Sequence, residues 1–306
     1  MKKLLIGCAV GCAIVEMAFG ALDGAKIDQI TGLKGKLSEK ENVYKVTFPR
    51  SDVKVAVDGW TVPPFMGLGT WAAFTETKDG AMVMGDTVLF EDEVNAAMTA
   101  ALDNGLSVTA LHNHFFFDKP KVFFMHIEGE GSVEQLAGAV KKMYDAVKAV
   151  RGPDLKPAES FKMAEKALSL PEKNSISPDP LNRIFGAQSE AKDGMAKFTF
   201  GRPATMHGVK IDNTMGVNTW AAFAGSDDNA VVDGDFAVTE DELQAVLKSL
   251  VKQKIYIVAI HQHMTHEQPR MMFFHYWGRG PAKDLATTIK GAFLIAGLQE
   301  VSSPLH

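Results

Sequence analysis

Six histidines recur as two copies of one pattern, His-x-His and then a third after eleven intervening residues. They are His112, His114 and His126 in the first copy, and His261, His263 and His275 in the second. On a β-strand, residues i and i+2 project from one face about 7 Å apart, so the first two imidazoles of each copy point together. The third belongs to the next strand and joins them only in certain hairpin registers. A three-residue loop at 118–120 sets His126 opposite His112, and one at 119–121 sets it opposite His114. A two-residue turn at Lys119-Pro120 sends it to the far face. Three neutral imidazoles with an open fourth position suit Zn²⁺, with Cu²⁺, Ni²⁺ and Fe²⁺ behind it. Such an ion activates a water, as in a metal-dependent hydrolase, or holds an anion; no organic cofactor is implied. Two other readings use the same residues. The cluster grips a small polar or anionic ligand without metal, or the imidazoles merely pack against Phe115, Phe116, Phe123 and Phe124 in a structural envelope protein.

The remaining chemistry-bearing residues point more weakly. Thr239-Glu240-Asp241-Glu242 reads as a capping box, with acids in the first helical turn where the helix dipole favours them. Glu91-Asp92-Glu93 repeats it behind Phe90. Asp86 and Asp235 each follow a glycine and are expected to serve turns. Glu128 shares the face of His126 and is placed to act as a general base, but the second copy has Trp277 there. Trp71 and Trp220 read as core. Arg50 and Arg202 follow matched strands and read as solvated surface able to meet an anion. His207, His266 and His306 have no histidine counterpart, and His266 is placed as an accessory ligand.

The elements that must position these residues are also written twice. Residues 67–131 match 216–280 without a gap: Thr70-Trp71-Ala72-Ala73-Phe74 returns as Thr219-Trp220-Ala221-Ala222-Phe223, and Gly85-Asp86 as Gly234-Asp235. Repetition at this length is a duplicated domain and not a solenoid. Within a copy, Tyr44 to Phe48 and Val53 to Val57 read as strands, as do Thr70 to Phe74 and Ala81 to Met84. Glu91 to Asn104 has helical spacing and stops at Gly105. Ser107 to Phe117 and Lys121 to Glu128 read as a hairpin around Asp118-Lys119-Pro120, and Ser132 caps a helix running to about Val150. The expected class is α+β, two tandem homologous domains, each an antiparallel sheet covered by two helices. The expected layout is a signal peptide at 1–20, a first repeat domain at 21–150, a linker with a short helix at 151–177 and a second repeat domain at 178–306.

At 46% apolar and 23% charged, the 306-residue chain has the composition of a folded protein with a proper core. Its formal charge of -5, with no dense Lys/Arg block, argues against nucleic-acid binding. Lys2 and Lys3, the apolar run from Leu4 to Val15, and Ala18-Phe19-Gly20-Ala21 make a secretory signal peptide cut after Gly20. It is too short to span a membrane, and no later segment spans one. Leu5-Ile6-Gly7-Cys8 has the letters of a lipobox, but only four apolar or small residues separate the lysines from that cysteine. The expectation is a periplasmic or secreted protein without a lipid anchor, whose partner is a metal or a small molecule. Ala110-Leu111-His112-Asn113-His114 and Pro269-Arg270-Met271-Met272-Phe273-Phe274-His275-Tyr276-Trp277-Gly278, with the duplication, resemble the LppY/LpqO family of exported bacterial proteins. That resemblance implies export and a two-copy layout, and supplies no reaction or cofactor.

Overall fold

The computed structural model describes residues 22–152 and 169–298. The expected signal peptide, the expected linker helix at 158–168 and His306 lie outside them. The first half runs α1 (Gly24–Thr31), β1 (Lys36–Ser38), β2 (Val43–Pro49), β3 (Val55–Val57), β4 (Trp60–Val62), β5 (Gly69–Thr77) and β6 (Gly80–Phe90). It continues with α2 (Val94–Asp103), β7 (Ser107–His112), β8 (Asp118–Lys119), β9 (Val122–Gly131) and α3 (Val133–Arg151). The second half repeats this order as α4 (Pro178–Phe185), β10 (Glu190–Lys192), β11 (Met195–Gly201), β12 (Ala204–Met206), β13 (Val209–Ile211), β14 (Asn218–Ser226) and β15 (Asn229–Thr239). It closes with α5 (Glu240–Lys252), β16 (Tyr256–His261), β17 (Glu267–Gln268), β18 (Met271–Gly280) and α6 (Ala282–Ile295). The class is α+β, with one short helix per half beyond the two expected.

The two sheets are fused into one. Twelve strands follow the order β1-β2-β5-β6-β9-β7-β16-β18-β15-β14-β11-β10, and β7 meets β16 antiparallel at Leu111 and Ile260. One apolar core, with Val83, Leu111, Met143, Val232, Ile260 and Phe293 among its residues, runs between this sheet and the helices of both halves. On the opposite face, each half carries a three-stranded flap, β4-β3-β8 and β13-β12-β17, over a smaller cluster. The chain between β7 and β9 is therefore no tight turn. It leaves the sheet to add β8 to the first flap, so the strand expected to reach Phe117 stops at His112.

A β-bulge lies beside each seam strand, between Val108 and Ala110 in β7 and between Ile257 and Ala259 in β16. The extra residue reverses the in/out alternation. Val108 and Leu111 can then both face the core, while Ala110 and His112 face the open side. Simple period-2 counting fails across this point. The backbone groups at each bulge are bound by the other half: Val108 N–H donates to Gln244 Oε1 at 2.8 Å, and Gln244 Nε2 donates to Val108 O at 3.0 Å. At the repeat-equivalent position, Asn95 Nδ2 donates to Ile255 O at 2.8 Å and Asn95 Oδ1 accepts from Ile257 N–H at 3.3 Å. Removing this clamp by Gln244→Ala leaves two backbone groups without a partner in a partly buried seam. The expected cost is about 1–3 kcal/mol in urea unfolding.

Two further readings change here and one holds. Arg50 is buried, not solvated: its guanidinium donates to both oxygens of Glu93 at 2.8 and 2.9 Å and to Asp52 at 2.9 and 3.0 Å. Arg151 also reaches Glu93 at 2.8 Å and pairs with Asp92. Glu93 keeps the helix-entry role expected of it, since it accepts Phe90 N–H at 2.9 Å, as Glu242 accepts Thr239 N–H at 2.9 Å. Trp71 and Trp220 are half-buried on the open face, with Lys45 and Lys197 over their rings at 4.1 and 4.6 Å.

Candidate metal centres

Because Leu111 and Ile260 pair across the seam and both face the core, their neighbours His112 and His261 emerge on the same, open side of the sheet. The third imidazole joins them in each half. β9 sets Phe124 opposite His112 and His126 opposite Ala110, and β18 repeats this with Phe273 opposite His261 and His275 opposite Ala259. His126 is thus diagonal to His112, in neither of the two direct pairings expected, but it stays on the productive face. His114 and His263 lie past the strand ends. They reach the cluster by stacking on Phe124 and Phe273, with ring centroids 3.4 and 3.6 Å apart. The phenylalanines are the seats of these imidazoles.

The imidazoles of each half approach one another closely. In the first half, His126 Nε2 lies 3.0 Å from His112 Nε2, and the His112 and His114 rings are 5.2 Å apart. In the second half, His263 Nε2 lies 3.2 Å from His261 Nε2 and 3.2 Å from Asp235 Oδ2. Ligand atoms of Asp235, His261 and His263 all fall within 4.8 Å of one another. The His275 ring stacks on His261 at 4.8 Å.

Asp86 and Asp235 are the residues that sequence reasoning missed. Neither serves a turn. Each sits inside a long strand, directly opposite His126 or His275, almost fully buried, with one carboxylate oxygen that has no hydrogen-bond partner among the described residues. The repeated Gly-Asp was the available signal, but its glycine answers a packing demand. A Cβ on Gly85 would stand 2.8 Å from Trp71 O, and one on Gly234 would stand 2.2 Å from the Tyr276 ring. Gly234→Ala must displace that fully buried tyrosine. The expected loss is about 1–3 kcal/mol, read from the denaturation midpoint.

The orientation of two rings follows from their backbone partners. His263 Nδ1 faces Gly216 O at 3.0 Å and His275 Nδ1 faces Gly234 O at 3.3 Å. A carbonyl only accepts, so Nδ1 carries the hydrogen and the Nε2 lone pair of His263 is left pointing at a second imidazole nitrogen and a carboxylate oxygen. Lone pairs at 3.2 Å repel unless a proton or a cation lies among them. Burial pushes the Asp86 carboxyl above the usual carboxylate range, against the pull of His126, His114 and His112. Burial also holds His114 and His261 below the ordinary 6.5, so both are neutral at pH 7.

The other sequence candidates stand apart. His266 lies beside His207, ring centroids 6.2 Å apart, in the loop of the second flap. Glu128 and Trp277 are exposed on the open face.

The model of a family described as Domain of Unknown Function (DUF1259) matches residues 25–146 and 179–294. No curated protein and no solved structure matches the chain.

Proposed function

We propose, for a chain that belongs to the DUF1259 family in both of its halves, that each half binds one divalent transition-metal ion. The ligands are His112, His114 and His126 with Asp86, and His261, His263 and His275 with Asp235. The observation that carries this is the Nε2 lone pair of His263 aimed at both His261 Nε2 and Asp235 Oδ2, 3.2 Å away each. Two groups bound tetrahedrally to zinc at about 2.0–2.1 Å stand about 3.3 Å apart, which matches. The buried carboxylate with its unpartnered oxygen fits a cation for the same reason. Imidazole and carboxylate suit Zn²⁺ first, with Cu²⁺, Ni²⁺ and Fe²⁺ as competitors. Such an ion would supply Lewis acidity toward an anionic or carbonyl-bearing small molecule. What the chain's own groups do is orient: Gly216 O and Gly234 O fix the rings of His263 and His275, and Phe124 and Phe273 seat those of His114 and His263. Export to the periplasm, inferred from Lys2 to Gly20 and the LppY/LpqO resemblance, completes the reading.

The test is metal content and thermal stability of the purified full chain. About one ion per half is expected. Zn²⁺ at 100-fold over its dissociation constant should add about 2.7 kcal/mol per saturated half. A stripped protein that takes up no ion when Zn²⁺ is returned, and shows no change in melting temperature, contradicts the proposal.

A pH dependence follows for the metal-free chain. Because His114 and His261 are depressed in the fold, the unfolded chain takes up protons near 6.5 before the folded one does. Stability is then expected to fall as pH drops below 6.5, and this fall should disappear in His114→Gln/His261→Gln.

A further inference from the structure

The duplication provides an internal control for what the scaffold itself requires. Beside the first centre, three loop segments carry large apolar side chains into solvent: Phe65 is 100% exposed, Phe116 85% and Phe117 79%, with Trp60 and Met66 each more than half exposed. These segments form one surface. A Cβ on Gly67 would lie 4.0 Å from the Phe115 ring, the Phe116 and Phe117 rings are 6.3 Å apart, and Asp118, Val57 and Trp60 are successive partners across the first flap. In the second half, the same backbone carries Thr214, Thr265 and His266 where the first has Phe65, Phe116 and Phe117. The fold is built without these aromatics, so packing does not explain them.

The charges around the patch indicate its occupant. Lys54, Lys119 and Lys121 are exposed beside it, Asp118 is buried, and Asp58 is the exposed acid of the flap hairpin. The second half has Pro203, Gln268 and Arg270 in the lysine positions, and Arg270 is paired with Glu240 at 3.1 Å. The chain as a whole is acidic at -5, yet this corner is basic and aromatic. We infer that the first flap and the loop 113–117 are a peripheral docking surface for an anionic lipid bilayer. Phe65, Phe116 and Phe117 enter the headgroup boundary, while the lysines meet the lipid phosphates.

The experiment is cosedimentation of the full chain with phosphatidylglycerol/phosphatidylcholine vesicles and with phosphatidylcholine alone. Binding is expected only to the anionic vesicles. It should weaken at least ~10-fold in Phe65→Ala/Phe116→Ala/Phe117→Ala and in Lys54→Glu/Lys119→Glu/Lys121→Glu. The segment before Gly20 is common to every sample, and a local probe removes its contribution. With Trp60→Phe in both proteins, the emission added by Phe116→Trp should be quenched by brominated lipid, and that added by Thr265→Trp should not. Equal quenching of the two, or a triple phenylalanine variant that binds like the parent, overturns the inference. So does a dimer in sedimentation that this variant dissolves without vesicle binding, which would assign the patch to a second copy.

Discussion

In the double variant His261→Ala/His263→Ala, Zn²⁺ affinity of the second centre is expected to fall by ~10³-fold or more, while the first centre keeps its ion. Two of four ligands are removed, and disturbing a supporting partner alone costs 10–100-fold. The substitution leaves the buried Asp235 with His275 as the one remaining imidazole of its cluster. Adding His112→Ala/His126→Ala should abolish the remaining binding. Calorimetric titration of the stripped chain would read the stoichiometry falling in two equal steps. A single step, with both ions lost at the first pair of substitutions, would mean one composite centre across the seam. The diagonal placement of His112 and His261 on neighbouring strands makes that the specific alternative to exclude.

The second large effect concerns stability. Glu93→Ala removes a fully buried carboxylate that neutralises Arg50, itself 1% exposed, and helps to neutralise Arg151, 6% exposed. Arg50 keeps Asp52 and Arg151 keeps Asp92, but both buried guanidiniums lose the partner that is itself fully buried, and about 3 kcal/mol of folding stability, the low end for a broken buried pair, should go. The other half supplies the comparison. Arg202 and Glu242 pair at 2.5 Å but keep 15% and 25% exposure, and Arg202 has Ala296 O as a second acceptor at 2.9 Å. Water replaces a lost partner there, so Glu242→Ala should cost about 1–2 kcal/mol. Equal losses in chemical denaturation would show that burial does not set the difference.

How far these features were legible in the sequence depends on the range of the interaction that fixes them. The duplication, the α+β class and the helix opened by Ser132 are local or repetitive signals. Ser132 does cap α3, with its hydroxyl 3.2 Å from Gln135 N–H. The six histidines were legible because a pattern repeated in both halves stands out against composition. Their register was not, because a bulge at Val108 reverses alternation, and the loop at 113–121 spends residues on a flap strand that pairs with β3. Asp86 was misread since a Gly-Asp pair is locally a turn. Only the pairing of β6 with β9 shows that the carboxylate faces His126. Arg50 was misread for a related reason. The acid that buries it lies 43 positions away in the chain, and no local pattern announces a partner at that distance. The fusion of the two sheets through Leu111 and Ile260 is likewise a tertiary fact, carried by two apolar residues that any core strand could hold.

Zinc K-edge X-ray absorption on the zinc-loaded full chain tests the metal centres most directly. The expected spectrum has a first shell of four nitrogen or oxygen neighbours at about 2.0–2.1 Å, with the outer-shell scattering of imidazole rings. The zinc edge height per chain should fall by roughly half in His261→Ala/His263→Ala, as the second centre empties, while the imidazole scattering per remaining zinc is unchanged. A six-coordinate oxygen shell with no imidazole scattering would place the ion elsewhere on the surface, and the two histidine clusters would not be metal centres.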